Sequence, residues 1–343
     1  MSVSFAEKLN FFVAISPNQL RDRPQMTKIR YVFILGAQRS GSTLLNLILG
    51  SHSRMFAVGE AWKLNQQIQS GNGCTCGAPS VSECPFWNNV SQRLEQEVGW
   101  NPIKKPGGRK LHRTELGRIR SDVFSVLERM SLGFGHSLNS NWIGATMWHL
   151  PPTRKIAANN SQLLSACHDV AEQKIIVDSG KDPFRADFVG RLNRESSRYI
   201  FLVRDGRGVA SSRLGKGRDQ SKPNYPEIQS ATRRWVLENR MTLSRLNGLP
   251  PEMWMRQKYE DFCQSPESSM RQICDWLDLP YEPSMLEFRH HTHHNVMGNR
   301  MRTGTRQAIS MDDAWKQNLT PQEINEFELA GGWINRELGY KSG

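Results

Sequence analysis

The stretch from Tyr31 to Thr43 reads Y-V-F-I-L-G-A-Q-R-S-G-S-T, and it decides the fold. Its first five residues form a continuous apolar run, which is typical of a strand buried on both faces of a parallel sheet. Gly36 ends this run, and the residues after Thr43 are again apolar, but with helical spacing. The stretch therefore predicts a buried strand, a glycine-rich turn and the beginning of a helix.

Other parts of the chain repeat this order of a strand followed by a helix. Apolar runs predict further strands over residues 55–58, 174–177, 199–203 and 253–259. Helical patterns predict helices over residues 43–49, 184–192, 228–246 and 266–277. The alternation predicts a single α/β domain in which helices flank a mainly parallel sheet.

Two late helices have recognisable start signals. Ser265-Pro266 and Thr320-Pro321 each place a hydroxyl before a proline at the first helical position. Glu323 follows Thr320 at the spacing of a capping box. We therefore expect both helices to be capped by the hydroxyl that precedes the proline.

The turn after the first strand has the frame of a phosphate-binding loop, G-x-x-x-x-G-K-[ST]. Backbone N–H groups of such a loop bind phosphate at a helix N-terminus. Ser42 stands where the lysine should be, which argues against an ordinary ATPase or GTPase. Arg39 instead places a cation inside the loop, where it can lie over an anionic group next to the bound phosphate.

The loop from Arg39 to Thr43 resembles the 5′-phosphosulfate loop of sulfotransferases that use 3′-phosphoadenosine 5′-phosphosulfate (PAPS). In that family a second strand ends in an arginine, with a serine eight residues later that also contacts the 3′-phosphate. Arg204 and Ser212 have this spacing. The Arg in the loop makes the chain similar to tyrosylprotein and several bacterial carbohydrate sulfotransferases. The resemblance implies a P-loop-like fold and PAPS-dependent sulfuryl transfer to a hydroxyl or, less favoured, an amine.

The resemblance covers roughly residues 31–59 and 174–343. We therefore interpret residues 1–343 as one sulfotransferase domain, with residues 28–60 and 174–343 as its PAPS-binding core. Residues 61–173 do not alternate between strand and helix patterns. This segment is interpreted as a long insertion after the second strand, forming a cap on the side of the acceptor.

Roles for the loop and the second motif follow from the resemblance and from the chemistry of an in-line displacement, in which positioning and charge stabilisation dominate. Arg39 is expected to stabilise the leaving phosphate, and Arg204 and Ser212 to bind the 3′-phosphate. The residues expected to bind the 5′-phosphate are Ser40, Gly41, Ser42 and Thr43. No metal is required, because there is no triphosphate to neutralise.

The resemblance to tyrosylprotein enzymes assigns the base to Glu60, at the carboxyl end of the second predicted strand. A dry cleft would raise the pKa of this carboxyl group. His149 is the next candidate, because the cytosolic enzymes of the family use a histidine, although its position does not match theirs. Arg300 and Arg302 lie where the family closes the cofactor site with a C-terminal loop, and they are expected to add contacts to the cofactor.

The 343 residues include 45 Lys and Arg against 33 Asp and Glu, a net charge of +12. This charge admits nucleic acid, an anionic surface or an anionic small molecule as partner. A P-loop kinase or other phosphotransferase and a basic nucleic-acid-binding protein are the alternatives to a sulfotransferase. We expect no nucleic-acid partner, because no basic and aromatic recognition motif is present, and no membrane span, because no apolar run is long enough.

The acceptor stays open among a carbohydrate, a small alcohol, a lipid and a peptide, and so does the oligomeric state. No signal peptide is recognisable, which favours the cytoplasm.

Two clusters of potential metal ligands have no role in this scheme. Cys74, Cys76 and Cys84 place three thiols within eleven residues, but a zinc site would need a fourth ligand. Buried thiols or one local disulfide are favoured over a metal site. The run from His290 to His294 is interpreted as a polar loop rather than as a metal site.

Overall fold

The computed structural model describes residues 29–116, 147–215, 227–304 and 308–342, and a five-stranded sheet lies at the centre of these residues. The strands are β1 (Tyr31–Leu35), β2 (Met55–Gly59), β3 (Ile175–Lys181), β4 (Ser197–Val203) and β5 (Trp254–Lys258). They are all parallel, in the order β2-β3-β1-β4-β5. The first strand in sequence is thus the central strand in space.

Helices connect these strands and cover both faces of the sheet. In chain order the α-helices of the described residues are α1 (Ser42–Leu49), α2 (Leu64–Gln69), α3 (Pro85–Val98), α4 (Pro151–Val170), α5 (Pro183–Leu192), α6 (Gly206–Leu214), α7 (Ile228–Leu246), α8 (Tyr259–Gln264), α9 (Pro266–Trp276), α10 (Trp315–Asn318) and α11 (Pro321–Glu337). Each parallel pair of strands needs such a crossover, which explains the alternation in the sequence.

The side chains of the central strands alternate between two apolar cores. On one face, Phe33 stacks on Tyr199 with ring centroids 5.5 Å apart, in a core that also contains Trp235. On the other face, Val32 and Ile200 belong to a core formed with helices α1, α8 and α9. Burial on both faces is the reason that these strands are continuous apolar runs.

The α/β fold class predicted from the sequence is confirmed, with a parallel sheet flanked by helices. The helix predicted over residues 228–246 has these bounds, and the other predicted elements agree to within a few residues. The largest difference is β3, which continues beyond Val177 to Lys181. Its last residues are polar because they face the loop edge of the sheet, so the apolar run ends before the strand does.

The described part of residues 61–173 packs on the same core as the sheet. Trp87 of α3 and Leu163 of α4 are fully buried in the core that contains Phe33. Residues 117–146 of this segment lie outside the described residues. Within the ranges described above, no helix has both the length and the apolar character needed to cross a membrane.

The two predicted helix starts differ in their caps. The Thr320 hydroxyl accepts from the backbone N–H of Glu323, and the Glu323 carboxylate accepts from the N–H of Thr320, so this capping box is confirmed. Helix α9 also begins at Pro266, but the Ser265 side chain makes no cap hydrogen bond, so that expectation was wrong. The backbone of Ser265, with φ −134° and ψ 67°, does not have the extended conformation usual at this position.

This difference can be tested with two matched substitutions. Thr320→Ala removes the hydroxyl that accepts from the backbone N–H of Glu323, and it should lower the free energy of unfolding by about 1 kcal/mol. Ser265→Ala removes no cap and should change it by less than about 0.5 kcal/mol. Urea unfolding followed by circular dichroism measures both. Equal effects of the two substitutions would contradict the assignment.

Candidate functional site

The loop between β1 and α1 requires glycine at two positions. Gly36 has φ 132°, and a Cβ atom there would lie 2.2 Å from the carbonyl oxygen of Leu202. Gly41 has φ 89°, and a Cβ atom there would lie 2.4 Å from Cδ2 of Tyr259. Both values of φ lie in the region that favours glycine. The two glycines therefore allow the loop to turn tightly against β4 and α8.

The loop opens a helix and contains a buried hydroxyl that suits an anion. Ser40 is 1% exposed, and its Oγ atom has no hydrogen-bond partner within the described residues. Helix α1 begins at Ser42, so its first N–H groups are directed towards the loop. A phosphate bound here would satisfy both the hydroxyl and the helix N-terminus. These features fit the phosphate group predicted from the sequence.

Arg204, from the second motif, reaches the same loop. Its Nη1 donates to the carbonyl of Arg39 over 2.9 Å, and Nη2 lies 3.0 Å from the Asp312 carboxylate. The guanidinium group also lies 4.6 Å from the ring centroid of Tyr259. Arg204 is only 6% exposed, so this cation is held in place beside the loop. The two motifs that the sequence separates are therefore in direct contact.

The remaining predicted cofactor residues lie on two other segments. Ser212 is half-buried on α6, which follows Arg204. The backbone N–H of Asn299 donates to Oγ1 of Thr43 over 3.3 Å, directly before the single turn Arg300–Thr303. Nη1 of Arg302 donates to the carbonyl of Asn295 over 3.4 Å. The C-terminal segment with Arg300 and Arg302 thus begins against the phosphate-binding loop.

Glu60, the predicted base, is buried between two lysines. It follows β2 and is 7% exposed. Its Oε1 lies 2.7 Å from Nζ of Lys181, and its Oε2 lies 2.6 Å from Nζ of Lys63. Its backbone N–H donates to the carbonyl of Val296 over 2.8 Å. The carboxylate is therefore fixed at both oxygens and at the main chain.

The predicted direction of the Glu60 pKa was wrong. Burial alone would raise the pKa, but the charges of Lys181 and Lys63 and their hydrogen bonds outweigh burial and lower it. Glu60 is therefore ionised at neutral pH. Neither lysine was identified from the sequence as a partner of Glu60. The available signal for Lys181 was its place after an apolar strand, because the carboxyl ends of parallel strands line the ligand crevice.

A buried histidine, His112, packs on Trp62, two residues after Glu60. The His112 ring packs on Trp62 with centroids 4.2 Å apart, and the Trp62 indole N–H donates to the carbonyl of Gly180. Nε2 of His112 lies 2.6 Å from Oδ2 of Asp182. The histidine candidate from the sequence, His149, is exposed instead, with Nδ1 2.9 Å from Nη2 of Arg154. His112 is thus buried between Trp62 and Asp182, whereas His149 is exposed.

Asp178, near the end of β3, has a structural role. Its Oδ2 accepts from Nη2 of Arg185 over 2.7 Å, and its Oδ1 accepts from the N–H of Gly180 over 2.7 Å. Both charged side chains are nearly inaccessible. The pair supports the strand end that leads to Lys181.

Comparison with known proteins identifies the relatives of this chain. A family model described as the sulfotransferase family matches residues 31–283. A putative protein-tyrosine sulfotransferase of Caenorhabditis briggsae is 30% identical over 120 residues, covering 34% of this chain and 41% of that protein. Protein-tyrosine sulfotransferase A of Caenorhabditis elegans is 22% identical over 292 residues, covering 82% of this chain and 60% of that protein. Carbohydrate sulfotransferase 1 of Danio rerio is 25% identical over 168 residues, covering 43% of this chain and 39% of that protein.

The matches thus span about 39% to 60% of the length of these relatives. Among solved structures, a sulfotransferase domain from the curacin biosynthetic pathway is 21% identical. That comparison has a TM-score of 0.46 and covers 92% of this chain and 100% of that domain.

The contacts of Glu60 predict unequal roles for its two lysines. Lys181→Met should lower the free energy of unfolding by about 1–3 kcal/mol at pH 7, because a buried carboxylate loses one of its two charged partners. Lys63→Met, which removes the more exposed lysine, should cost less. Urea unfolding at several pH values measures both costs.

The loss of stability caused by Lys181→Met should depend on pH, because the pKa of Glu60 is lowered. Stability from this carboxylate is present above its unfolded pKa of about 4.3 and is lost as the pH falls through the lower folded value. The cost of Lys181→Met should therefore be largest at neutral pH and shrink in acid. A cost that is constant down to about pH 3 would contradict the pairing.

Proposed function

This chain belongs to the sulfotransferase family, and we propose that it transfers the sulfuryl group of PAPS to a hydroxyl group, or less favourably an amine, of an acceptor. The contact between Arg204 and the carbonyl of Arg39 is the observation that carries this proposal. It places a guanidinium group against a phosphate-binding loop that lacks the lysine of nucleoside triphosphatases. A ligand with two separate phosphate groups suits this arrangement, whereas a triphosphate with its magnesium does not.

Different residues of the chain bind the two ends of the cofactor. The 5′ end is held by the backbone N–H groups of residues 40–43 and by the Ser40 hydroxyl. Arg204 binds the 3′-phosphate, since its planar group can meet two phosphate oxygens at once, and Ser212 assists. Arg302 adds positive charge from the C-terminal segment. When bound, PAPS supplies an activated sulfuryl group on a phosphate leaving group.

Arg39 and Glu60 act on opposite sides of the transferred group. Arg39, exposed in the loop with φ 75°, stabilises the negative charge that develops on the leaving phosphate oxygen. Glu60 accepts the proton of the acceptor hydroxyl. Its lowered pKa makes it a weak base that is ionised at neutral pH. A weak base is sufficient if transfer resembles loose phosphoryl transfer, in which the nucleophile loses its proton late.

The acceptor side of the site is assigned to residues 61–173. His112 and Lys63 from this segment both contact the Trp62 ring. Lys63 also pairs with Glu60, so this segment touches the proposed base. The relatives named above act on protein tyrosine or on carbohydrate, and both acceptor classes place a hydroxyl on a bulky molecule. Peptides and carbohydrates are therefore the first acceptors to test. A nucleoside triphosphate phosphotransferase is the competing function, and Ser42 in place of the loop lysine disfavours it.

Ligand binding separates these two functions. Adenosine 3′,5′-bisphosphate at 100 times its dissociation constant should stabilise the fold by about 2.7 kcal/mol, measured as a rise in melting temperature. ATP with magnesium should give a much smaller rise. No rise with the bisphosphate, or a larger one with magnesium ATP, would refute the sulfotransferase assignment.

The same measurement tests Arg204. Arg204→Met should lower the affinity for adenosine 3′,5′-bisphosphate. The variant should no longer bind this ligand more tightly than adenosine 5′-monophosphate, which has no 3′-phosphate. Arg271→Met, which removes an exposed arginine paired with Glu267 on α9, is the control and should preserve that advantage.

A further prediction concerns the base. Glu60→Gln should lower kcat by about 10²- to 10⁴-fold, because the isosteric amide cannot accept the proton. The affinity for the bisphosphate should be almost unchanged. Labelled PAPS with pools of peptides and carbohydrates measures transfer, and titration of the bisphosphate is the control. Full activity of Glu60→Gln would assign the base elsewhere, and His112→Ala would then be the next variant to assay.

A further inference from the structure

Three cysteines and one histidine from distant parts of the chain meet beside β2. The ligand atoms of Cys74, Cys76, Cys84 and His294 all lie within 4.8 Å of one another. Sγ of Cys76 is 3.7 Å from Sγ of Cys84, which is itself 3.1 Å from Nδ1 of His294. The sequence contained the three thiols and the histidine run as separate features. Folding supplies the fourth ligand that the thiols lacked.

The spacing of these atoms fits a tetrahedral metal ion better than a disulfide. Zinc–sulfur bonds of about 2.3 Å place two sulfur ligands of a tetrahedral site about 3.8 Å apart. The separation of 3.7 Å between Cys76 and Cys84 agrees with this value. A disulfide requires about 2.05 Å, and all three cysteines are free.

The thiols are held by a tight turn and by the start of a helix. The backbone N–H of Cys74 donates to the carbonyl of Ala78 over 2.9 Å, and the N–H of Gly77 donates to the carbonyl of Cys74 over 3.1 Å. Cys84 immediately precedes α3. Cys84 is fully buried and Cys74 is 5% exposed. Cys76 and His294 are partly exposed, so the cluster lies at the edge of the core, with two of its thiols buried and the other two ligands reachable from solvent.

His294 is oriented towards the thiols by its neighbours. Its ring centroid lies 5.8 Å from that of Phe56 and 5.4 Å from that of Phe86. Its carbonyl accepts from the indole N–H of Trp87 over 2.8 Å. The preceding histidines are directed elsewhere, with His293 against the carbonyl of Phe288 and His291 against that of Ser284.

Thr75, between two of the cysteines, joins the two segments directly. Its hydroxyl donates to the carbonyl of His293 over 2.7 Å and accepts from the N–H of Asn295 over 2.8 Å. Further along, the N–H of Val296 donates to the carbonyl of Val58 over 3.0 Å, and the carbonyl of Val296 accepts from the N–H of Glu60. A metal ion in the cluster would thus fix the segment that holds the main chain of Glu60.

We propose that Cys74, Cys76, Cys84 and His294 bind one structural zinc ion. Three thiolates and a neutral imidazole complete a tetrahedral shell, so no open position is left for water or substrate. Binding releases the thiol protons, and zinc affinity therefore rises with pH. The ion joins the 74–84 turn to the 293–296 segment. It takes no part in sulfuryl transfer, and the proposal does not depend on the proposed function.

Metal analysis of the untagged, full-length protein tests this proposal. The protein is purified under reducing conditions, loaded with zinc and dialysed. We expect inductively coupled plasma mass spectrometry to find about one zinc ion per chain. X-ray absorption should show three sulfur neighbours at about 2.3 Å and one nitrogen at about 2.0 Å. A metal-free protein, or a zinc ion without sulfur neighbours, would overturn the proposal, as would a disulfide between two of these cysteines.

Matched variants locate the ion. Cys84→Ala and His294→Ala should lose the zinc and lower the melting temperature by several degrees. Cys274→Ala, at a buried cysteine packed on Met285, and His290→Ala, at an exposed histidine of the same run, should retain it. Should the cluster variants not fold, cobalt substitution of the wild-type protein replaces them, and its absorption spectrum must show tetrahedral thiolate ligation. Retention of zinc by folded Cys84→Ala and His294→Ala proteins would refute the assignment.

Discussion

The hydrogen-bonded pairing of β1 with β4 brings the phosphate-binding loop and Arg204 together. The register runs from Tyr31 opposite Ser197 to Leu35 opposite Phe201, so both strands reach the same edge of the sheet. Beyond that edge the loop turns so closely against β4 that Gly36 has no room for a side chain. In open parallel sheets ligands bind beyond the carboxyl ends of the strands, and the loop and Arg204 both lie at that edge. The position of the site is therefore a consequence of strand order.

The charges around Glu60 are balanced at the same edge of the sheet. Glu60 is the acidic side chain proposed to react, and Lys181 and Lys63 compensate for its burial. Lys181 has φ 61°, a conformation that costs a residue with a side chain about 1 kcal/mol or more. Strained residues of this kind persist where the surrounding structure fixes them, here through Glu60 and the end of β3. The result is a carboxylate whose charge and orientation are both constant at neutral pH.

The sequence predicted those features that depend on neighbouring residues. The apolar run of β1, the glycines of the loop and the capping box at Thr320 are local signals, and each was confirmed. The carboxyl end of β3 was missed because Asp178 and Lys181 are polar residues in a strand. The sign of the Glu60 pKa shift was wrong because it depends on a lysine more than 100 residues away in the chain. The meeting of His294 with three cysteines was invisible for the same reason. Long-range contacts of polar groups follow from the fold, and a sequence pattern of one segment does not contain them.

The central position of β1 also determines when the chain can begin to fold. β2, the next strand made, does not pair with β1, whose neighbours Ile176 and Ser197 come much later in the sequence. During synthesis, the apolar residues 31–35 therefore have no strand partner until the ribosome has made the chain as far as β3, and their second partner, β4, comes later still. Such an exposed apolar strand is prone to aggregation, and non-local pairing of this kind is slow. The same strand order that brings the loop to Arg204 thus leaves the first strand without a partner for as long as residues 36–174 are being made.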